Sequence, residues 1–165
     1  MNYNAAMLLA VVTISDRCSL GQTTDTAGPA VVELLRAQWP EAHVDTALLP
    51  DEEDAIAALL EQFAADRASL VLTVGGTGFG PRDHTPEATR RAIDREAPGL
   101  AEAMRAQGAA QNKFSWLSRA VCGLKGSTLI VNLPGSQRGA TESLTAILSL
   151  LKHAVDVAAG ANSHP

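Results

Sequence analysis

The chain has 165 residues, of which 46% are apolar and 4% aromatic, with a formal net charge of −5. That length suits one domain burying roughly 70% of the surface of its unfolded chain, and no run approaches the ~20 apolar residues of a membrane span. Negative charge without a long basic run argues against nucleic-acid and anionic-membrane binding. The scarcity of aromatics argues against a base-stacking platform. An anionic small molecule stays open, because a site can be locally positive.

Met1–Asn4 carries no basic side chain, so the apolar run after it is expected to be a buried strand rather than a signal peptide. Met7–Ser15 is apolar on both faces, as parallel strands are, and leaves the sheet through Thr13, Ser15, Asp16 and Arg17. Leu20–Gly28 predicts a polar loop with helix-capping residues at Asp25–Thr26. Gly28–Trp39 has helical spacing, and Pro40 stops it. His43–Leu49 predicts a second, weaker strand. After Pro50, the acidic run Asp51–Asp54 opens a helix with Ile56, Leu59, Leu60 and Phe63 on one face. Acidic side chains suit a first helical turn, which accounts for Glu52, Glu53 and Asp54. Asp51 differs in standing at the carboxyl end of a strand. Cys18 and Cys122 form no disulfide framework and have no Cys or His at metal-ligand spacing; they read as small hydrophobes of a reducing cytoplasm.

Ser69–Val74 predicts a third strand, and it runs into Gly75–Gly76–Thr77–Gly78–Phe79–Gly80–Pro81–Arg82–Asp83, four glycines within six positions. No lysine follows, which excludes a P-loop, and Pro81 interrupts the dinucleotide fingerprint. Bare N–H groups in succession form an anion-binding concavity, so Gly75–Gly80 reads as a phosphate cradle with Arg82 and Asp83 on its rim. Thr85 is expected to cap a helix with Pro86 and Glu87 in its first turn, broken by Pro98–Gly99. A short helix over Leu100–Gln107 and a polar loop over Gly108–Ser115 follow. Trp116–Val121 predicts a short strand, Gly123–Gly126 a turn, and Ser127–Asn132 another strand. Leu133–Ser136 is a second glycine-bearing turn. The long helix after it runs through Ala159, with Ala140, Leu144, Ile147, Leu148, Leu151 and Val155 as its core stripe, and Gly160–Pro165 as a frayed tail.

This alternation implies one three-layer α/β domain over residues 1–165, a mostly parallel sheet with helices on both faces. The turns after residues 14, 49, 74 and 132 then share an edge, gathering Asp16, Asp51, the glycine loop, Asp83 and Asn132–Ser136. Ligands of open parallel sheets bind at that edge. Arg82, Arg119, Lys125 and Arg138 are candidate phosphate partners. No nucleophile stands out, since Ser136 lacks the Gly-x-Ser-x-Gly elbow and Cys18 lacks a base. His84 adjoins the edge and reads as a solvated turn residue. Two aspartates beside phosphate-binding turns suit Mg²⁺-assisted phosphoryl or nucleotidyl transfer. The residues by themselves lead no further than an anionic ligand, Mg²⁺, a nucleotide and a transfer.

Gly75–Thr89 and Gly126–Ser136, supported by Thr13–Arg17, Thr26–Pro29, Leu49–Glu52 and Leu117–Arg119, resemble the molybdopterin-binding (Mog/MoaB-like) family, above all its adenylyltransferase branch. The similarity extends over nearly the whole chain. It implies a molybdopterin-binding-like fold, a homotrimer, and transfer of AMP from ATP to the terminal phosphate of molybdopterin, with a molybdenum insertase downstream. It further implies Asp51 and Asp83 as the catalytic carboxylates that hold Mg²⁺. Thr13, Ser15, Asp16, Gly75, Gly76, Thr77, Gly78, Asn132, Pro134, Gly135 and Ser136 would line the nucleotide and pterin pockets, with Ser118, Arg119 and Ser127 as pterin-side contacts. His84 stands where the family carries an apolar residue and is given no role. A MoaB-like member of less certain chemistry, a domain of a larger insertase and a non-catalytic molybdopterin-binding module are the alternatives.

Overall fold

Residues 7–161 are described by the computed structural model. The all-apolar run Leu8–Ile14 becomes strand β1. Ser15 turns the chain by accepting the Cys18 N–H into a one-turn helix, α1 (Asp16–Ser19). Helix α2 (Ala27–Gln38) follows, with its first turn held by the Gly28 N–H donating to Asp25 Oδ1. Then come β2 (His43–Leu49), α3 (Glu53–Ala65), β3 (Leu70–Val74), α4 (Thr85–Ala92) and β4 (Arg95–Glu96). Helix α5 (Pro98–Ala109), a 3-10 turn (Lys113–Leu117), β5 (Cys122–Lys125), β6 (Thr128–Leu133) and α6 (Gln137–Ala158) complete the chain.

The strands form one sheet in the order β2-β1-β3-β6-β5-β4. The first four are parallel, and β5 and β4 continue it antiparallel. Because successive strand residues point to opposite faces, each central strand feeds two cores. Leu9, Val11, Leu70, Leu72, Leu129 and Val131 pack with α2, α5 and α6. Ala10, Val12, Val71 and Ile130 pack with α3 and α4. This is the three-layer α/β arrangement expected from the sequence.

Several elements differ from expectation for identifiable reasons. The helix after the glycine loop stops at Ala92, because Ile93 is extended (φ −81, ψ 153), and Arg95–Glu96 pair with β5 as the sheet's edge. Pro98 therefore opens a helix instead of breaking one; at the first turn its missing N–H would have had no partner anyway. The strand expected over Trp116–Val121 does not form: Trp116 and Leu117 are exposed and end the 3-10 turn, which Asn112 Oδ1 starts by accepting the Phe114 N–H, and residues 118–121 are irregular. The strand lies one step later, across the residues read as a turn. His84, not Thr85, is the N-cap of α4. Gly160 is no frayed residue: at φ +86 it closes α6, with its own N–H on Val157 O and the Ala161 N–H on Asp156 O, a Schellman motif. The rest of the predicted tail and Met1–Asn4 lie outside the described residues.

Candidate functional site

Since β1, β2, β3 and β6 run in one direction, the chain leaves all four on the same edge. The glycine loop and the turn after β6 meet there, with the Gly75 N–H donating to Leu133 O at 3.0 Å. Between Gly78 and Gly80 the loop folds around an anion of its own. The Gly80 N–H donates to Asp83 Oδ2 at 2.8 Å, and a Cβ on Gly78 or Gly80 would lie 2.8 or 2.9 Å from that oxygen. The cradle expected from the glycine pattern is thus partly filled by the Asp83 carboxylate. Gly76, Thr77, Gly78 and Asp83 still face a cleft of about 420 Å³.

Pro134, Gly135 and Ser136 form the cleft's opposite wall at the start of α6. Ser136 Oγ accepts the Gly139 N–H, and the positive end of this 22-residue helix favours an anion at that point. Phe114, Leu117 and Ser118 supply a third side, and Ala101, Met104 and Arg105 of α5 lie beneath. Arg105 donates to Ser118 O and Ala120 O, which fixes the backbone of the third side. Of the predicted site residues, the cleft brings together Gly76, Thr77, Gly78, Asp83, Ser118, Pro134, Gly135 and Ser136. Met104, Arg105, Asn112 and Phe114 were not foreseen. Their only trace in the sequence is the side-chain acceptor of Asn112 ahead of an aromatic residue.

Asp51 sits behind the loop and is 7% exposed. Its backbone N–H donates to Asp16 Oδ1 at 2.9 Å, and its own Oδ1 is buried without a hydrogen-bond partner among the described residues. Burial first, and then the charges of Asp16 and Asp83, push its carboxyl up to about 6; the His84 N–H and Arg82 oppose the rise. Thr85 Oγ1 is likewise buried and unpartnered, and both oxygens crowd the bare Cα of Gly76, where a Cβ would come within 2.2 Å of Thr85 Oγ1 and 2.5 Å of Asp51 Oδ1. Asp16 is held well below the usual carboxylate range, chiefly by Arg82 and then by the Asp51 N–H. Arg82 spans Asp16 and Glu52 in an exposed network, so it braces the two aspartate turns.

Other predicted site residues serve the fold. Thr13 Oγ1 donates to Asp25 Oδ2 at 2.6 Å, which joins the end of β1 to the start of α2. Ser15 caps α1. Asn132 is fully buried: its Oδ1 accepts the Val121 N–H, and its Nδ2 donates to Thr73 Oγ1 and Thr89 Oγ1. It points between sheet and helix, not into the cleft. Arg119 spends its guanidinium on Gly78 O, Asp83 O and the Glu87 carboxylate. Ser127 lies in the β5–β6 turn, at the amino end of β6 and so at the opposite edge of the sheet. Lys125 pairs with Asp94 at that far edge. Among the described residues, Arg138 pairs with Glu142 alone, on the exposed first turn of α6.

Among the described residues, no three His, Cys, Asp or Glu side chains gather to hold a metal. A metal here would rest on two carboxylates and ligand oxygens, which is how Mg²⁺ is commonly held. The residues fit that role: Asp51 feels the charge of Asp83, keeps an unpartnered oxygen, and is pushed toward its neutral form, a state a nearby cation would reverse.

Comparison with known proteins gives a consistent picture. A family model described as "Probable molybdopterin binding domain" matches residues 10–153. The molybdenum cofactor synthesis protein cinnamon of Drosophila melanogaster is 41% identical over 152 residues, a match covering 91% of this chain and 25% of that protein. This chain therefore spans about a quarter of that relative. The molybdopterin adenylyltransferase of Helicobacter pylori is 34% identical over 156 residues, with 92% and 88% of the two chains covered. The crystal structure of the molybdopterin biosynthesis enzyme MoaB from Thermus thermophilus superposes with a TM-score of 0.87 at 44% identity, covering 93% of this chain and 97% of that one.

Proposed function

Because the chain belongs to the molybdopterin-binding family, we propose that it acts in molybdenum cofactor biosynthesis as an adenylyltransferase. It transfers AMP from ATP to the terminal phosphate of molybdopterin. The observation that carries this reading is the meeting of two anion-receptive turns, Gly76–Gly78 and Pro134–Ser136, across one cleft with Asp83 beside them. A reaction between two phosphorylated substrates needs two phosphate seats within bonding reach.

The chain's residues suit an in-line displacement without a covalent enzyme intermediate. A phosphate oxygen of molybdopterin forms a bond to the α-phosphorus of ATP, and the bond from that phosphorus to the bridging oxygen of pyrophosphate breaks. The attacking phosphate is already an anion, so no general base is required. The backbone of Thr77–Gly78 and the amino end of α6 position phosphate oxygens, and Arg138 can leave Glu142 for a phosphate because an exposed i,i+4 pair holds it only weakly. The apolar side chains of Met104, Phe114 and Leu117 offer a surface for a heterocycle. Asp51 and Asp83 would hold Mg²⁺, which when bound neutralises charge developing on the transferring phosphate.

The test is to incubate the purified protein with molybdopterin, ATP and Mg²⁺ and to look for adenylylated molybdopterin and pyrophosphate. Absence of both under conditions where molybdopterin binds would refute the reading. The 44% identity to the structure of a MoaB described as a molybdopterin biosynthesis enzyme favours, as a second reading, a MoaB-like member of less certain chemistry, which the same ATP-dependent assay separates from an adenylyltransferase. Calorimetry supports a non-catalytic molybdopterin-binding module instead if molybdopterin binds and Mg-ATP does not. We propose also that the protein is a cytoplasmic homotrimer that passes its product to a molybdenum insertase. Sedimentation and pull-down with such an insertase test these points.

A further inference from the structure

The geometry points to Arg119 as the residue that positions Asp83, a role distinct from contact with either substrate. The loop carrying Asp83 is poorly supported by packing: Phe79 is 71% exposed and residues 80–82 are exposed as well. Its internal ties are few, namely the Gly80 N–H on Asp83 Oδ2, the Asp83 N–H on Gly80 O and the Thr85 N–H on Gly76 O. Arg119 adds four more from one residue. Its backbone N–H donates to Thr77 O at 2.9 Å, its Nε to Gly78 O at 2.7 Å, its Nη2 to Asp83 O at 2.7 Å, and its Nη1 to the Glu87 carboxylate. The entry, the middle and the exit of the loop are thereby pinned to the strip of chain that forms the cleft's third side.

All three guanidinium nitrogens donate to the loop or to the helix behind it, and Arg119 is not among the residues that line the cleft. The planar fork also explains the residue type. An ammonium on a flexible stem cannot reach Gly78 O, Asp83 O and Glu87 together. Losing the fork frees the Gly78 and Asp83 carbonyls and leaves the loop its internal bonds, the Arg119 N–H on Thr77 O and the exposed Arg82 network with Asp16 and Glu52, and displacement of a reacting group by about 1 Å can cost on the order of 100-fold in rate.

The inference rests on the reading that Asp83 works on the phosphates, and the test separates the two. Arg119→Lys, and Glu87→Gln as a milder variant that keeps the arginine, are compared with the wild type in two measurements. Millisecond-to-second hydrogen exchange of the free proteins reads the Gly80, Asp83 and Thr85 amides. Steady-state adenylyl transfer reads kcat and KM for molybdopterin and ATP. The expected result for Arg119→Lys is about 10-fold faster exchange at those amides and a kcat about 10–100-fold lower. KM for molybdopterin should stay within about twofold and thermal melting should be little changed, as expected for disorder confined to an exposed loop. Glu87→Gln should fall between this variant and the wild type. Unchanged exchange with a raised KM for molybdopterin would overturn the inference and make Arg119 a substrate contact. If the wild type transfers no AMP, the exchange measurement still decides whether Arg119 holds the loop, and only the functional reading fails.

Discussion

Replacing Asn132 by alanine removes one acceptor and a two-hydrogen donor from a place that water does not reach. Three bonds disappear: from the Val121 N–H at 3.0 Å, to Thr73 Oγ1 at 2.9 Å and to Thr89 Oγ1 at 2.8 Å. The Val121 N–H is then buried and unpaired, at a cost of about 1–3 kcal/mol. The two threonine hydroxyls can rotate, so each loses about 1 kcal/mol. The total, about 3–5 kcal/mol, should lower the melting temperature by about 6–20 °C for a domain of this size. Circular dichroism melts and urea titrations measure it. The urea midpoint should fall with little change in slope, because the surface exposed on unfolding stays nearly the same. Thr89→Val, which removes one acceptor and leaves one Asn132 Nδ2 hydrogen buried and unpaired, should cost about 1–3 kcal/mol. A loss below about 1 kcal/mol for Asn132→Ala would refute this accounting. Wild-type melting with abolished molybdopterin binding would restore the ligand contact inferred from sequence.

Asp83→Asn is expected to abolish most adenylyl transfer while melting and molybdopterin binding stay close to wild type; near-normal turnover would remove Asp83 from the mechanism. The Asp51 carboxyl ionises near 3.8 when unfolded and near 6 when folded. Across that window the folded chain holds the extra proton, so rising pH makes folding less favourable, by about 3 kcal/mol once both states are ionised. Asp51→Asn is neutral throughout. It should melt above the wild type at pH 7 and lose that advantage by pH 4, and equal melting at pH 7 would contradict the burial argument. Burial pushes the Cys122 thiol up to about 12, while Cys18 is only half-buried. Ellman's reagent should therefore titrate one thiol in the native protein and both after denaturation.

Much of the fold was legible because its main strands are apolar on both faces, a pattern that marks β1, β3 and β6 without tertiary knowledge. What the pattern hid were elements whose identity depends on neighbours. Cys122–Lys125 contains a glycine and precedes another, so it reads as a turn; it is a strand because β6 and β4 flank it. Trp116 and Leu117 look like strand residues because they are apolar, yet they are exposed at the end of the 3-10 turn, Leu117 at the rim of the cleft. The edge that gathers Asp51, Asp83 and both glycine turns followed from parallel topology alone. Individual roles did not. A polar residue near the end of a strand can face a ligand or the layer behind the sheet, and only the positions of Thr73 and Thr89 show that Asn132 does the latter. For Ser127 the error was one of ends: a strand's first residues and its last residues lie at opposite edges.

The self-directed fold of the glycine loop changes what its motif reports. Gly78 and Gly80 are small because the Asp83 oxygen approaches them, so selection on an aspartate is enough to keep them small. A descendant that switched substrates would retain both glycines for as long as it kept that acid. Divergence of specificity should accumulate across the cleft instead, in Phe114 and Leu117, whose exposed side chains are free to vary without disturbing the carboxylate.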